Sequence, residues 1–367
     1  MKQITTLLFA CLCAIFYSMP LALAADANDG NLQNQLQRLQ EKVSDLEEIV
    51  RDPEGKVETA NQEIKRLKRV TISGYLQTRF EHFENSKDGT ATVDRFFVRR
   101  ARLSIGAKPS NDLAVKVSAE LSGTVHLKDA FLTWYPYHSD QVGLNVSVGQ
   151  MNWPFGYEVP TSSSVRETPE RALWSRKLFD GERDLGLKLA SARGAPLEWE
   201  IGVFNGSGLN KSDTNEAKDL VGRIRIQPTP TLDVGVSGYF GEGYTAAQGE
   251  NPAQSWVKNR YGVDAQWFLP GLTFKGEYVA ARERRRKPSG WLAQGGLNLS
   301  QKDVLVVRFD TYDDDGLDKF GRIDTWNVGL IRYLDPNLRV KAFYEMPREE
   351  RNRLKNNVAR VEFIAIF

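Results

Sequence analysis

Alternation of apolar and polar side chains is the feature that most constrains the fold of this chain. It begins at Val70 and continues to the last residue, Phe367, in segments separated by turn-forming residues. In the last segment, Val361 and Phe363 share a parity with Phe367, and Glu362 has the opposite parity. Because side chains of an extended strand point alternately to its two faces, each segment predicts a strand with one apolar and one hydrated face.

The connections between these segments alternate in length. About sixteen segments fit between residues 70 and 367. Every second connection is short and rich in turn residues, as at 109–112 and 335–337, and the others are mostly longer, up to 151–183. A soluble sandwich has no reason to sort its loops in this way, whereas an outer-membrane barrel has short turns at one end and long loops at the other. The sequence therefore predicts an all-β, antiparallel transmembrane barrel that is wide enough to hold an aqueous channel.

The first 25 residues have the pattern of a secretory signal peptide. A short basic start precedes an apolar stretch at 7–19, and small residues end at Ala24 and Ala25. Both cysteines, Cys11 and Cys13, lie in this segment. We therefore expect residues 1–25 to be removed on export, which leaves a mature chain without thiols.

Residues 26–69 have a different periodicity. Leu32, Leu39 and Val43 belong to a series in which leucine and β-branched residues recur at alternating spacings of four and three. This heptad repeat predicts an α-helical coiled coil in the periplasm, kinked near Pro53, which would serve as an oligomerisation module or spacer. A long amphipathic helix on a neighbouring surface is the alternative. The distribution of leucine and β-branched residues favours a two-stranded coil.

Charge and composition exclude several classes of function. Lysine and arginine number 49 against 47 acidic residues, a net charge of +2, and this basic surplus is too small to indicate a nucleic-acid-binding protein. The three histidines do not accompany a nucleophile pattern, and neither a Gly-rich phosphate loop nor Cys/His metal-ligand spacing is present. We therefore expect a protein that is not an enzyme and uses no cofactor or metal.

Strand parity also assigns the charges to one face. A charge that faced lipid at the bilayer midplane would cost about 2–4 kcal/mol, so the charged face should line the lumen. The predicted channel-lining cations are Arg79, Arg100, Arg102, Lys116, Lys188, Arg223, Arg225, Lys275, Arg308, Arg339 and Lys341. The longest connection, 151–183, is the candidate constriction loop. Its cations are Arg166, Arg171, Arg176 and Lys177.

Carboxylates such as Glu81 and Asp264 share the inward parity. A charge-balanced lumen is therefore the alternative to a lumen that attracts anions. The clustering of Arg100 and Arg102 near Arg79 favours anions.

Residues 149–158 resemble a family signature. They follow the pattern Gly-x-x-Lys-x-Pro-Phe-Gly-x-Glu of the phosphate-selective porin O and P family, with Asn152 in place of the lysine. The matching residues are Gly149, Pro154, Phe155, Gly156 and Glu158. Four other segments of the chain resemble segments of the family and occur in the same order, at 99–103, 170–172, 183–187 and 204–208.

This resemblance implies a sixteen-stranded, trimeric porin of the bacterial outer membrane that conducts small anions, with phosphate or polyphosphate as substrates. Asn152 removes a positive charge near the long loop, so a general or other-solute porin without phosphate preference remains an alternative. An envelope-linking or adhesive barrel that binds through its coiled coil is another. Outer-membrane lipid and lipopolysaccharide are also expected partners. The basic run at 282–287 could hold lipopolysaccharide phosphates, and a solvated basic loop is the alternative.

Overall fold

The computed structural model describes residues 36–44, 69–84, 93–138, 143–245, 253–315, 321–351 and 356–367. The chain divides into two compact units, Met1–Leu67 and Lys68–Phe367. Among the described residues, no helix combines the length and the apolar composition needed to cross a membrane.

In the first unit, residues 36–44 form a helix, α1. Its heptad positions Leu36, Leu39 and Val43 are all exposed. The predicted signal peptide and the rest of the predicted coiled coil lie outside the described residues. The coiled coil at 26–69 therefore stays a prediction.

The second unit is a closed antiparallel barrel of sixteen strands, as the sequence predicts. Each strand pairs with its neighbours in the chain, and the last strand pairs with the first. The strands are β1 (Val70–Phe83), β2 (Arg95–Ser110), β3 (Leu113–Glu120), β4 (His126–His138), β5 (Gly143–Asn152), β6 (Arg183–Ser191), β7 (Leu197–Phe204), β8 (Asp219–Thr229), β9 (Leu232–Thr245), β10 (Gln254–Leu269), β11 (Leu272–Glu283), β12 (Ser289–Asn298), β13 (Asp303–Asp313), β14 (Ile323–Asp335), β15 (Leu338–Glu349) and β16 (Val358–Ile366). A short helix, α2 (Leu173–Leu178), lies between β5 and β6.

Side chains alternate between two environments along each strand. On β1, Leu76 is 44% exposed on the outer face, whereas the next residue, Gln77, is 1% exposed. On β16, Phe363 is 45% exposed beside the fully buried Glu362. Such a wall presents hydrocarbon outward and polar groups inward, which a barrel in lipid requires.

Two strands, β4 and β14, have ambiguous parity in the sequence, and each has a register shift in the structure. Ser118 pairs with Asp129 but Ala119 pairs with Leu127, so Lys128 is the extra residue of a bulge on β4. Lys128 and Asp129 are consequently both buried.

On β14, a register shift leaves Leu334 without a partner. Arg332, before this shift, has the parity of the exposed Trp326. It lies 3.7 Å from the carboxylate of Asp303 in an ion pair at the short-turn end of the barrel.

The carboxyl terminus closes the barrel against Gly74. Phe367 and Gly74 exchange backbone hydrogen bonds at 2.9 and 3.0 Å, which extends the β1–β16 ladder by one pair. A Cβ atom on Gly74 would lie 2.6 Å from Cζ of Phe367 and would also collide with the carbonyl oxygen of Arg102. The terminal aromatic ring therefore fits only over a residue without a side chain.

Replacement of Gly74 by valine is expected to impair barrel closure. Overpacking at a tightly filled position costs about 1–3 kcal/mol, here at the β1–β16 pair that closes the barrel. Gly74→Val should lower the fraction of protein that migrates as the compact, heat-modifiable form on unboiled SDS gels. Gly106→Val is the matched control, because the nearest atom to an added Cβ there is 3.9 Å away. Equal compact fractions in the two variants would contradict the role of the terminal ring.

Candidate functional site

The segment between β5 and β6, residues 153–182, folds back against inward-facing side chains of the barrel, and we call it the inward loop. Its first turn depends on Gly156, which has φ 55° and where a Cβ would collide with the carboxylate of Glu277. That carboxylate, on β11, accepts the backbone N–H groups of Tyr157 and Glu158 at 3.2 and 2.9 Å. A buried wall residue thus fixes the loop where it leaves the strand.

The other residues of the family-like signature have structural roles in the same turn. Gly149 has φ 129°, and a Cβ there would collide with the carbonyl oxygen of Ala130. Pro154 and Phe155 are buried. The carboxylate of Glu158 accepts the backbone N–H of Ala172 at 3.0 Å. The signature therefore specifies how the loop enters the barrel.

A buried aromatic cluster anchors the inward loop to the wall. The Phe155 and Phe179 ring centroids are 4.6 Å apart, and Trp153 packs edge-on at 6.0 Å against Tyr239 of β9. Trp174 of α2 is fully buried in the same cluster. The sequence analysis names Phe155 as part of the signature but misses Phe179, Trp174 and Tyr239, since a loop has no periodicity to mark which aromatics turn inward.

Several predicted channel-lining cations instead hold the inward loop. Arg308 of β13 donates to Thr168 Oγ1 at 2.6 Å and to the carbonyl oxygen of Glu170 at 3.0 Å. Lys341 of β15 donates to the carbonyl oxygen of Arg166 at 2.6 Å. The loop is therefore fastened to β13 and β15 by hydrogen bonds to charged donors, which are among the stronger ones in proteins. Lys275 of β11 pairs with Glu167 of the loop in the same way.

Most of the remaining predicted lining cations are paired along the wall. The pairs are Arg102–Glu120 at 3.2 Å, Lys116–Asp129 at 3.1 Å, Lys188–Glu200 at 2.7 Å, Arg223–Asp264 at 2.5 Å, and Arg225 with Glu198 at 2.6 Å and Asp233 at 2.7 Å. Arg339 is buried and has no ion-pair partner in the described part of the chain. These regions of the lumen are thus close to charge balance, which is what the alternative of a charge-balanced lumen predicts for them.

One region of the interior departs from this balance. A cavity of about 750 Å³ lies between the inward loop and strands β1 to β4, and we call it the basic cleft. Ten cations line it: Arg79, Arg95, Arg99, Arg100, Arg102, Lys128, Arg166, Arg171, Arg176 and Arg360. Five carboxylates line it: Glu81, Glu120, Glu170, Asp180 and Glu182. These lining residues therefore have a formal surplus of five positive charges, part of which is offset by Glu362 beside Arg79 and Glu345 beside Arg360, which do not line the cleft.

A β-bulge concentrates arginines in the basic cleft. Gln77 pairs with Arg100 but Thr78 pairs with Val98, so Arg99 is the extra residue. Arg99 and Arg100 both turn toward Glu170 of the inward loop, although strict alternation would put them on opposite faces. Period-two parity therefore selects Arg100 but excludes Arg99, which only the bulge brings into the cleft.

Glu170 is the central carboxylate of the cleft. Arg79 Nη1 lies 2.7 Å, Arg99 Nε 2.9 Å and Arg100 Nη2 3.6 Å from its oxygens. Burial alone would raise the pKa of Glu170, but the guanidinium groups of Arg79, Arg100 and Arg99 hold that pKa well below its usual range. Arg79 also pairs with Glu81 and Glu362, whereas Glu170 is the one carboxylate that Arg99 and Arg100 share among the described residues, so part of their positive charge is uncompensated.

A second carboxylate of the inward loop has a similar environment. Arg171 Nε and Arg183 Nη1 lie 2.9 and 3.0 Å from the Glu182 oxygens, and Lys128 Nζ lies at 3.7 Å. Burial opposes ionisation of Glu182, yet these cations, Arg171 foremost, hold its pKa far below the usual value. Asn152, which occupies the position of the signature lysine, donates at 3.4 Å to the carbonyl oxygens of Glu182 and Val159.

The predicted loop cations are therefore divided between different roles. Arg166 is buried and donates to the carbonyl oxygens of Thr168 and Pro169 at 3.2 and 2.9 Å. Arg176, in the last turn of α2, is exposed and lines the cleft, whereas the exposed Lys177 does not. The four residues predicted together do not form one ring.

The depressed pKa of Glu170 predicts that the cleft resists acid. A carboxylate whose folded pKa lies below its unfolded value of about 4.3 stabilises the folded state above that value. This contribution is lost only as pH falls through the folded pKa. Single-channel conductance should therefore stay constant from pH 7 to about pH 4 and change only below it. Glu170→Gln should already differ from the native protein at pH 7; a conductance step near pH 5 in the native protein would contradict this assignment.

Comparison with known proteins gives the family. Residues 70–267, more than half of the chain, match the family model described as phosphate-selective porin O and P. The chain belongs to this family. Family membership makes it a porin of the bacterial outer membrane, which points to a channel rather than an enzyme. No curated protein matches the sequence.

Solved porin structures share the fold at low sequence identity. An anion-selective porin from Comamonas acidovorans has a TM-score of 0.62 at 11% identity, covering 81% of this chain and 99% of that chain. OmpF from Salmonella typhi, in complex with daunomycin, has a TM-score of 0.60 at 11% identity, covering 81% and 97%. The trimer form of OmpT from Vibrio cholerae has a TM-score of 0.58 at 11% identity, covering 81% and 99%. These similarities concern the fold alone.

Proposed function

We propose that this porin is an anion-preferring diffusion channel whose selectivity arises in the basic cleft. The observation that carries the proposal is the surplus of five positive charges there, next to walls in which cations and carboxylates pair. A cleft lined by one sign of charge within low-dielectric walls concentrates counter-ions. Small anions are therefore favoured over cations in the basic cleft.

The cleft chemistry suits phosphate-class anions that bind briefly and leave. Guanidinium groups can pair with phosphate oxygens in bidentate fashion. Arg99 and Arg100 already contact Glu170, so an anion would compete with a carboxylate. Conduction requires binding that is weak enough for release, which such competition provides. The anion selectivity of the Comamonas acidovorans porin is consistent with this use of the fold.

The same proposal covers assembly and orientation. The short turns would face the periplasm, together with the N-terminal coiled coil, and the long loops would face outward. The trimer form of OmpT supports a homotrimer. Broad contacts between barrels are then expected to set the oligomeric state, whatever the heptad core positions prefer.

Ion selectivity in planar bilayers tests the proposed function. With purified protein and a tenfold KCl gradient, the reversal potential should have the sign expected when chloride is more permeant than potassium. Replacing chloride by phosphate should lower the conductance without abolishing the anion preference, because phosphate interacts with the arginines. A reversal potential near zero would support a general porin. Absence of channels would support the envelope-linking alternative.

A further inference from the structure

The outer face of strands β10 to β13 has an apolar groove of about 770 Å³. Its floor consists of residues with small side chains on the outward parity, namely Ala265, Gly276, Ala293 and Gly295. An added Cβ on Gly295 would have no atom within 4 Å, and on Gly276 it would meet its first neighbour at 3.7 Å. The groove is therefore a true depression in the wall.

Aromatic side chains border this groove at both ends. Toward the long loops, Phe309 lies 5.0 Å from Trp291 and 4.9 Å from Trp326 between ring centroids. Toward the short turns, Trp267 and Phe274 are 6.2 Å apart. Aromatic girdles of this kind mark the two interfaces of a membrane barrel. The groove thus spans the hydrocarbon region, where water cannot fill it.

Unpaired cations lie beyond the long-loop end of the groove. Arg282 has the same outward parity on β11 as Gly276 and Tyr278. Arg282, Arg285 and Lys287 are exposed, and no described residue forms an ion pair or hydrogen bond with their side chains.

The neighbouring charges are already engaged. Arg284 stacks on Trp256 at 3.9 Å, and Arg286 pairs with Asp314 at 2.8 Å. Three exposed cations therefore remain free to bind an anionic group at the membrane surface.

We propose that this surface is a saturable binding site for a phosphorylated, multiply acylated glycolipid of the outer leaflet, that is, lipopolysaccharide. One acyl chain occupies the groove over Gly276 and Gly295, and a phosphate group contacts Arg282, Arg285 and Lys287. Charge complementarity selects this occupant, because the site joins an apolar slot of membrane height to cations at one end only. Each cation near a membrane surface contributes roughly 1 kcal/mol toward an anionic lipid, which corresponds to about fivefold in affinity.

Binding of Kdo2-lipid A to the purified full-length protein in detergent, followed by native mass spectrometry, tests the proposal. The native protein should bind this lipid saturably and more tightly than its dephosphorylated form. Arg282→Ala/Arg285→Ala/Lys287→Ala should raise the dissociation constant at least about tenfold. The charge-matched control, Lys211→Ala/Lys218→Ala/Arg322→Ala, removes exposed loop cations elsewhere and should bind as the native protein does.

A second pair of variants tests the groove itself. Gly295→Leu adds a side chain to the groove at a position where an added Cβ would have no atom within 4 Å, and it should also weaken binding. Ala342→Leu adds a similar bulk to the outward face of β15 and should not. Equal affinity for phosphorylated and dephosphorylated lipid, or native affinity in both site variants, would overturn the proposal. Disulfide cross-linking between two copies carrying Ala293→Cys would also overturn it, because a second copy would then occupy the groove.

Discussion

Simultaneous replacement of Arg99, Arg100 and Arg102 by alanine is expected to reduce the anion-to-cation permeability ratio about tenfold, within the range over which charged clefts change local ion concentration. The formal surplus of the basic cleft would fall from five to two. Glu170 would retain Arg79 as a close partner, at 2.7 Å, but would lose the other two guanidinium groups. Reversal potentials under a KCl gradient measure the change.

A charge-neutral control separates local charge from general damage. Lys188 of β6 and Glu200 of β7 form an ion pair at 2.7 Å and do not line the basic cleft. Lys188→Ala/Glu200→Ala removes one charge of each sign and should leave the permeability ratio unchanged. If the triple variant kept native selectivity, or if the control lost it equally, the basic cleft would not be the selectivity filter.

The barrel could be predicted from the sequence because lipid imposes a simple rule. A midplane charge facing hydrocarbon is costly, so period-two alternation is strict along most strands. The rule fails at bulges, where one extra residue reverses the parity. Lys128 and Arg99 are both such residues, and both line the basic cleft. Two residues of the cleft are therefore ones whose inward position strand parity alone does not predict.

Parity also shows which charges face inward without showing which are free. Arg223 and Arg225 were as good candidates as Arg100 and Arg102, yet the fold places Asp264, Glu198 and Asp233 beside them. Pairing across strands depends on register, which no local pattern reveals. The length of the connection at 151–183 indicates a loop that could narrow the lumen, but its attachment depends on contacts with at least seven strands, β1, β2, β4, β9, β11, β13 and β15.

The attachment of the inward loop leads to the second large effect. Arg308→Ala should raise single-channel conductance severalfold and increase cleavage of the loop by added protease. Arg308 is 2% exposed, donates to Thr168 and Glu170, and lies 3.1 Å from Asp310. Removing one member of a buried charge pair costs about 3–5 kcal/mol, because the remaining charge is left without compensation. Detachment of the loop relieves this cost by admitting water to Asp310.

Arg225→Ala is the matched control for this prediction. Like Arg308, Arg225 faces inward and pairs with carboxylates. Its partners, Glu198 of β7 and Asp233 of β9 at 2.6 and 2.7 Å, belong to the wall and not to the inward loop. Its loss should therefore leave the inward loop attached and the conductance within a small factor of native. Native conductance and protease resistance in Arg308→Ala would show that the aromatic cluster around Phe155 and Phe179 holds the loop without this arginine. The narrowing of the channel would then depend on apolar packing, and the combined variant Arg308→Ala/Phe179→Ala should release it.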